Sequence, residues 1–444
     1  MCMSLVKVTK KHVYVLHEDL SAIFTAVMKC GQVPGVWCSA YLSAVFKKGD
    51  PSDLDNYRGI AVGSVMGKMF SMLIEKRLAA YCEERGYRAW GQAGFRDRHR
   101  TCDHVFVLKH LVDRSRLGHG RLFACFVDFR KAYDLVRRDL LMRCLADIGL
   151  RGNVLASIVS MYWNAPMITK LAGRVGQPFD STRGVKQGDP LSPLLFGIFI
   201  DRVEQWLADR CGACGTALGS RMVRLLLYAD DLVLLAETAG KLQQLLDALQ
   251  SFCSEYGMQV NVGKTEVVVF DRKRYSGAAV WQYQGQQVPV SQQFRYLGVQ
   301  FHSTQGVSVC TDALAAAGSR AMWAMLARCK EHGIRSLSMQ VQLFNSLVSP
   351  ILCYCSEVWG PALLSQAGSG AALVSKLQNN VISRVQFMFL RTLAGRVRKS
   401  TARLLLSREF GAQPLVSLWL RAAVSMWNRV VDLDASSLLA CAMR

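Results

Sequence analysis

The amino-acid sequence predicts an α+β fold, in which an antiparallel sheet is followed by a helical region. Leu122–Phe129 is a near-continuous apolar run, which is typical of a buried strand. Arg224–Ala236 has two apolar arms around an acidic pair, which indicates a hairpin. Beyond about Thr311 the pattern is helical and rich in alanine. With 444 residues, and roughly 100–200 residues per domain, we expect two to four domains, with boundaries near residues 120 and 305.

The other elements follow from local patterns, taken in chain order. Ala40–Val62 predicts two short strands around a polar loop, and Ser64–Glu84 predicts a helix that Ser64 caps. One long helix is expected over Leu191–Cys211, and another over Lys241–Tyr256. Three later segments have strand-like patterns: Val262–Phe270, a short hairpin within Trp281–Gln293, and Phe294–Phe301.

The composition narrows the class of protein. Hydrophobic residues make up 51% and charged residues 20%, which excludes general disorder. A total of 54 Lys and Arg against 33 Asp and Glu gives a net charge of +21, which favours a polyanionic partner. The 15 cysteines are scattered and odd in number, so we expect buried thiols in a reducing compartment. No apolar run is long enough to predict a membrane span.

Two local features, a basic stretch and a CxxC segment, do not by themselves indicate a binding site. Seven Lys or Arg and no acid lie between Arg384 and Arg408, which suits either a groove for a phosphate backbone or a solvated helix face. CGAC (Cys211–Cys214) is a single CxxC without a second pair at metal spacing, so we interpret it as a helix end.

Three carboxylates stand next to apolar strands. Asp128 ends the strand run that starts at Leu122, and Asp230 and Asp231 lie between LLLY and LVLLA. Burying an ionised carboxylate without a partner costs several kcal/mol or more. Divalent cations relieve this cost, and hard cations such as Mg²⁺ prefer oxygen ligands. If the strands are neighbours, the carboxylates could hold two metals about 4 Å apart for phosphoryl transfer. The alternative is that Asp230 and Asp231 are ordinary residues of a hairpin turn.

Seven segments occur in a fixed order. They are VFKKGDPSDLDNYRGIAVGSVMGKMF (Val45–Phe70), WGQAGFRDRHRTCDHVFVLKHL (Trp90–Leu111), FVDFRKAYDLVRRDLL (Phe126–Leu141), GVKQGDPLSPLLFGIFID (Gly184–Asp201), YADDLVLLA (Tyr228–Ala236), VNVGKTEVVVF (Val260–Phe270) and FRYLG (Phe294–Gly298). Together they resemble a reverse transcriptase of the non-LTR retrotransposon (LINE-type) class. The resemblance implies a right-hand polymerase: fingers and an N-terminal extension over 1–120, a palm with an antiparallel sheet and part of the fingers over 121–305, and a helical thumb with a C-terminal connection over 306–444.

The resemblance also implies a role for each matching residue. Asp128, Asp230 and Asp231 match the catalytic, metal-binding aspartates, with Asp231 in a less direct position, and the carbonyl of Phe129 would complete the metal shell. Lys264 matches the lysine that protonates or neutralises the leaving pyrophosphate. The implied substrate contacts are Arg58, Lys47 and Lys48 for the triphosphate, Tyr133 for rejection of ribonucleotides, and Gln187 and Gly188 beside the nucleotide and template. Tyr296, Leu297 and Gly298 match the primer grip. The alternative to these roles is that Arg58 and Lys264 are solvated surface cations and that Tyr133 only packs beside the strand.

The implied function is RNA-directed DNA polymerisation with two Mg²⁺ ions, for which Mn²⁺ could substitute. The implied partners are an RNA template, a DNA primer and dNTPs, without a membrane. The resemblance implies an intracellular location, in the nucleus or in a cytoplasmic ribonucleoprotein. Asp189, next to Gly188, departs from many relatives and should point away from the triphosphate or cap the following helix. We expect a fragment of a longer polyprotein or a decayed copy. A group II intron-type enzyme, an RNA-templated RNA polymerase and a catalytically silent RNA-binding protein are the rivals.

Overall fold

The computed structural model describes residues 13–443 except 119, 164, 172, 307, 366–375, 378, 396, 399, 435 and 436. The strands are β1 Ala40–Phe46, β2 Tyr57–Gly63, β3 Leu122–Val127, β4 Pro166–Leu171, β5 Arg174–Asp180, β6 Thr216–Leu218, β7 Arg221–Val223, β8 Leu225–Tyr228, β9 Asp231–Ala236, β10 Glu266–Phe270, β11 Trp281–Tyr283, β12 Gln286–Val288, β13 Val290–Ser291, β14 Gln293–Tyr296 and β15 Val299–His302. The α+β class is therefore observed in the described part of the chain.

The α-helices precede, connect and follow these strands. They are α1 Val13–Cys30, α2 Gly35–Cys38, α3 Val65–Glu84, α4 Thr101–Arg116, α5 Ala132–Leu135, α6 Arg138–Asp147, α7 Gly152–Trp163, α8 Ser192–Ile200, α9 Arg202–Arg210, α10 Ala239–Tyr256, α11 Ser308–Glu331, α12 Leu337–Leu343, α13 Ser349–Leu352, α14 Ser356–Ser365, α15 Val381–Leu393, α16 Arg403–Glu409, α17 Leu415–Val431 and α18 Leu438–Met443. The side chain of Ser64 accepts a hydrogen bond from Gly67 N and caps α3 as expected.

The central sheet has the strand order β13-β10-β3-β9-β8. All six residues of β3 are buried, because both faces of this sheet are covered. Phe123, Cys125 and Val127 belong to a core that α3, α8 and α10 share, whereas Ala124 and Phe126 belong to a core shared with α4 and the C-terminal helices. The alternation of side chains along a strand explains this division. The apolar run identified in the sequence is thus a two-sided buried strand.

A second sheet has the order β2-β1-β4-β5, with β1 antiparallel to β2 and parallel to β4. The register pairs Val45 with Arg58. The ribbon β4–β5 had no counterpart in the sequence-based prediction, because β5 is exposed along its whole length and carries no apolar alternation.

Three predicted elements differ from the observed ones. The helix expected over Leu191–Cys211 is divided at Asp201, where Glu204 N donates to Asp201 O at 3.2 Å and the side chain of Asp201 is held by Arg88. The strand expected from Val262 begins only at Glu266, after a 3₁₀ turn.

The third difference lies in Phe294–Phe301, which forms a hairpin instead of one strand. Leu297 and Gly298 occupy its turn, with φ angles of 45° and 84°. By contrast, the hairpin expected within Trp281–Gln293 is observed as β11–β12, with Gln284 and Gly285 in the turn at positive φ.

The C-terminal helices pack on one face of the central sheet. Arg429 on α17 forms two hydrogen bonds with the buried carboxylate of Asp103 on α4, one of them 3.0 Å long. Within EVWG (Glu357–Gly360), Trp359 packs edge-to-face against Trp419, with the ring centroids 4.8 Å apart. These contacts join α17 to α4 and to α14.

The basic stretch near the C-terminus is divided between exposed and packed side chains. Arg384, Arg398 and Arg408 are exposed, while Arg403 lies over the ring of Phe387. Two more of its members, Arg396 and Lys399, lie outside the described residues.

The cysteines of the described segments are free thiols, and most of them are buried. The CGAC pair follows the end of α9, where Cys214 donates to the side-chain oxygen of Gln244. No helix in the part of the chain that the structure covers is both long and apolar enough to cross a bilayer.

Candidate active site

The three acidic residues lie at the same end of the central sheet. β3 and β9 are antiparallel, with Val127 opposite Leu232, so Asp128 and Asp231 come one step further along this register. Asp230 occupies the turn between β8 and β9. The strands are therefore neighbours, as the interpretation of the carboxylates required.

The electrostatics of the cluster favour bound positive charge. Burial, together with the charge of Asp128, raises the pKa of Asp230, while Arg58 and Lys47 act in the opposite direction. Desolvation at the sheet end, the charge of Asp230 and that of Asp128 raise the pKa of Asp231 to about 6, although part of this side chain reaches solvent. Like charges that are held together in this way are stabilised by a cation.

The backbone of Phe129 is directed towards the cluster. Asn261 N donates to Asp128 O at 2.7 Å, and Arg130 N donates to Gln259 O at 2.8 Å. The flanking residues therefore make the hydrogen bonds on that side of the strand. In an antiparallel pairing, the carbonyl of the residue between them points the other way, which is the side of β9. The ring of Phe129 is buried in the core.

Two basic residues of the second sheet lie within electrostatic reach of the acidic cluster. Arg58 on β2 and Lys47 at the end of β1 both lower the pKa of Asp230, so they lie within electrostatic reach of it. Lys48 is exposed in the connection between the two strands, and among the described residues no contact joins it to the cluster.

Tyr133 lies within electrostatic reach of Asp230. Its ring stacks on Phe196 with centroids 4.3 Å apart, and burial followed by the charge of Asp230 raises the pKa of its hydroxyl. The ring is thus held by packing and also borders the cluster, so both of the roles considered for Tyr133 are compatible with its position.

Gln187 and Gly188 contact β2, and Gln187 also contacts α5. Ala61 N on β2 donates to Gln187 O at 2.7 Å, and the side-chain amide of Gln187 donates to Asp134 at 3.1 Å. Gly188 has φ = 103°, and a Cβ there would lie 3.0 Å from Ala61 O. Only glycine fits this close approach without strain.

Lys264 is exposed in the 3₁₀ turn before β10. Its neighbour Thr265 contacts the cluster strand, since Asp128 N donates to Thr265 Oγ1 at 3.2 Å. The structure places the backbone of Lys264 beside the cluster but shows no contact between its ammonium group and the three carboxylates.

The residues that match the primer grip form the turn of the β14–β15 hairpin. Tyr296 is buried and shares a 3.4 Å hydrogen bond with His104, while the hydroxyl of Tyr354 donates to Leu297 O at 2.8 Å. Gly298 packs against the ring of Tyr354, where a Cβ would come within 2.9 Å.

Asp189 points away from the cluster, as expected. It accepts from Leu191 N at 3.0 Å, just before α8, and from the hydroxyl of Ser71 at 2.9 Å. Burial raises the pKa of Asp189, and these hydrogen bonds counteract the rise.

Sequence reasoning assigned no role to a buried polar chain behind the acidic turn. The side-chain oxygen of Gln92 accepts from Ala229 N at 3.1 Å and from Gly94 N at 2.7 Å. Its amide nitrogen donates to Asp201 at 3.1 Å, and Asp201 in turn accepts from Arg88 Nε at 2.6 Å. The only available signal was a glutamine between glycines in WGQAGF, which does not show what the side chain contacts.

The donor set suits a hard divalent cation. Mg²⁺ is usually bound by one or two carboxylates, with water and substrate phosphates as further ligands. Two aspartates and a backbone carbonyl at one sheet end match that pattern. Within the described residues, no three His, Cys, Asp or Glu side chains are gathered closely enough to hold a metal by themselves.

Comparisons with known proteins identify a family and several relatives. Residues 45–301 match the family described as reverse transcriptase (RNA-dependent DNA polymerase). The retrovirus-related Pol polyprotein from type-1 retrotransposable element R2 of Nasonia vitripennis is 25% identical over 303 residues, covering 66% of this chain and 29% of that protein. The RNA-directed DNA polymerase from mobile element jockey of Drosophila funebris is 25% identical over 395 residues, covering 84% and 41%. Apo telomerase from Candida tropicalis has a TM-score of 0.48 and 14% identity, covering 97% of this chain and 74% of that one.

The chain spans less than half the length of these two curated relatives. Both relatives belong to non-LTR retrotransposons, so the resemblance seen in the ordered segments is confirmed. The family match covers more than half of the 444 residues. The chain belongs to the reverse transcriptase (RNA-dependent DNA polymerase) family.

Proposed function

We propose that this protein is an RNA-directed DNA polymerase that extends a primer 3′-hydroxyl with dNTPs on an RNA template. One observation carries the proposal: Asp128, Asp230 and Asp231 lie at one sheet end, and the basic residues Arg58 and Lys47 are within electrostatic reach of Asp230. A negative site for metal that faces a positive site for phosphates is what phosphoryl transfer needs.

The acidic side would bind the metals. Asp128, Asp230 and the carbonyl of Phe129 would be the direct ligands, and Asp231 would lower the local potential from a more exposed position. Bound Mg²⁺, or Mn²⁺ in its place, would supply charge stabilisation at the attacking and leaving oxygens. The raised pKa of Asp230 and of Asp231 supports this assignment, because burial and the charges of neighbouring carboxylates disfavour the ionised form until a cation is bound.

The basic side would bind the triphosphate. The guanidinium of Arg58 suits phosphate oxygens, and Lys47 and Lys48 would add charge. Tyr133 would border the sugar and exclude a 2′-hydroxyl by its bulk. Gln187 and Gly188, which contact β2 through Ala61, would line the space for the nucleotide and template.

Two further assignments depend on the family pattern more than on contacts. Lys264 would protonate or neutralise the leaving pyrophosphate, for which its long exposed side chain would have to turn towards the cluster. The turn Tyr296–Gly298 would hold the primer end, and its backbone is fixed for this by the bond from Tyr354.

The excess positive charge would hold the template–primer duplex. Residues 1–120 would form the fingers and the N-terminal extension, 121–305 the palm with part of the fingers, and 306–444 the thumb and connection. The exposed Arg384, Arg398 and Arg408 would contact phosphates from the thumb side. Binding should therefore weaken steeply as salt increases.

The deciding experiment measures Mg²⁺-dependent dNTP incorporation on a primed RNA template. Asp230→Asn should abolish extension, because it removes a ligand charge while preserving size. Asp247→Asn is the matched control, since Asp247 is an exposed carboxylate on α10 that accepts from Gln243. RNA binding is measured in parallel. A wild-type protein that binds RNA but extends no primer with Mg²⁺ or Mn²⁺ would refute the proposal in favour of a silent RNA-binding protein.

A further inference from the structure

We infer that Gln92 is a positioning residue, which fixes the acidic turn through the backbone amide of Ala229. The inference deepens the proposed function and rests on it for its catalytic consequence. Gln92, Asp201 and Arg88 touch none of the three site carboxylates in the described structure, so they would act only through the turn that carries Asp230.

The contact is buried and specific. Gln92 is 1% exposed, and its side-chain oxygen accepts from both Ala229 N and Gly94 N. The backbone around it runs beside β8, where Ala93 N donates to Leu227 O at 2.9 Å. Gln92 therefore reaches the turn from a segment that is itself bonded to the strand leading into that turn.

The orientation of the Gln92 amide is set by chemistry. Its oxygen faces two N–H donors, and its nitrogen faces the carboxylate of Asp201, which only accepts while ionised. Asp201 is fixed in turn by Arg88 Nε and by Ala89 N at 3.2 Å. Rotating the amide by half a turn would place donors against donors and an acceptor against an acceptor.

The turn needs such a restraint. Ala229 has φ = 57°, in the left-handed region that non-glycine residues adopt at a cost. Asp230 follows directly, so a change in the Ala229 backbone redirects its carboxylate. The hydrogen bond that Ala229 N donates to the buried side-chain oxygen of Gln92 holds Ala229 in this conformation and aims Asp230 before substrate arrives.

The test compares Gln92→Met with Gln205→Met. Methionine has a similar volume but cannot form the bonds, and Gln205 donates to Asp209 on the exposed face of α9, so it serves as the control. We expect Gln92→Met to lower kcat for primer extension at least tenfold, with the KM for dNTP within about twofold of wild type. Hydrogen exchange at the amides of the turn should accelerate at least tenfold in the same variant, and melting curves monitor folding.

A reciprocal exchange separates positioning from general stability. Gln92→Glu alone places two carboxylates in contact, and Asp201→Asn alone removes the charge that Arg88 faces. In the double variant Q92E/D201N the carboxylate at position 92 accepts a hydrogen bond from the amide at position 201. The pair therefore again has one donor, one acceptor and one negative charge. We expect it to recover kcat and turn protection to within about fivefold of wild type, while each single change loses both.

The outcomes separate this inference from the proposed function. Primer extension by the wild type tests the proposed function alone. Hydrogen exchange at the turn amides of Gln92→Met is measured without substrate and tests the positioning role alone. Unchanged exchange in Gln92→Met, or a double variant no better than the single ones, overturns the inference. A wild type without extension but with lost protection in Gln92→Met would leave the structural role of Gln92 supported and the polymerase proposal refuted.

Discussion

Substitution of Gly94 by alanine should damage catalysis far more than it damages the fold. A Cβ at Gly94 would lie 2.2 Å from Ala229 N, a backbone atom that cannot rotate away. Reaching an ordinary contact requires a shift of about 1 Å in the turn that carries Asp230, and misplacement by that distance can cost about a hundredfold in rate. Overpacking of this kind costs about 1–3 kcal/mol in stability. Gly94 is absent from the positive-φ glycines, so its backbone alone would accept alanine.

The assay measures kcat for primer extension at saturating dNTP, together with urea unfolding. Gly240→Ala on α10 is the control, because a Cβ there meets nothing within 4 Å. We expect a fall in kcat of about a hundredfold for Gly94→Ala and a slight gain in stability for Gly240→Ala. A Gly94→Ala protein with kcat within threefold of wild type would show that the turn tolerates displacement, and the reasoning would be wrong.

Three further predictions concern charge and bulk. Because the pKa of Asp231 is raised to about 6, the folded protein binds more protons than the unfolded chain between about pH 4 and pH 6. The free energy of unfolding of the metal-free protein should therefore fall as pH rises through this window. Asp231→Asn should flatten that part of the stability profile measured by urea unfolding, and an unchanged slope would contradict the assignment. Tyr133→Ala should raise ribonucleotide incorporation about tenfold or more, whereas Tyr133→Phe keeps the ring and should retain selectivity; equal selectivity in all three proteins would remove this role from Tyr133. Asp103→Asn should lower the unfolding free energy by about 3 kcal/mol, since it leaves the partly buried Arg429 without its counter-charge. A loss well under 1 kcal/mol in urea unfolding would indicate that the pair is only weakly coupled to folding.

The sequence predicted the centre of the fold well, because that centre is dominated by burial. β3 and the β8–β9 hairpin are apolar enough to identify from residue type alone, and the acidic residues at their ends were unusual for that reason. The exposed ribbon β4–β5 was missed since its residues show no periodicity. The split of the helix at Asp201 was missed because Leu191–Cys211 has a continuous helical pattern, and the contact of Asp201 with the distant Arg88 cannot be identified from local sequence.

The sequence indicated which residues belong to the candidate site, but not which contacts their side chains make. Asp128, Asp230 and Asp231 could be brought together from the sequence by assuming neighbouring strands, whereas the role of Arg58, which lies within electrostatic reach of Asp230, stays a prediction. The position of the Lys264 side chain and the part played by Gln92 depend on where distant segments meet. Local sequence patterns carry no information on such long-range contacts.

The bond between Asp103 and Arg429 limits how the protein can be shortened. A version that ends before α17 would leave an acid inside the core without its cation, and Trp359 without the ring of Trp419. Such a fragment would retain every residue of the acidic cluster and still be prone to misfold. Inactivity in a polypeptide cut that short would therefore report on the missing support and not on the chemistry.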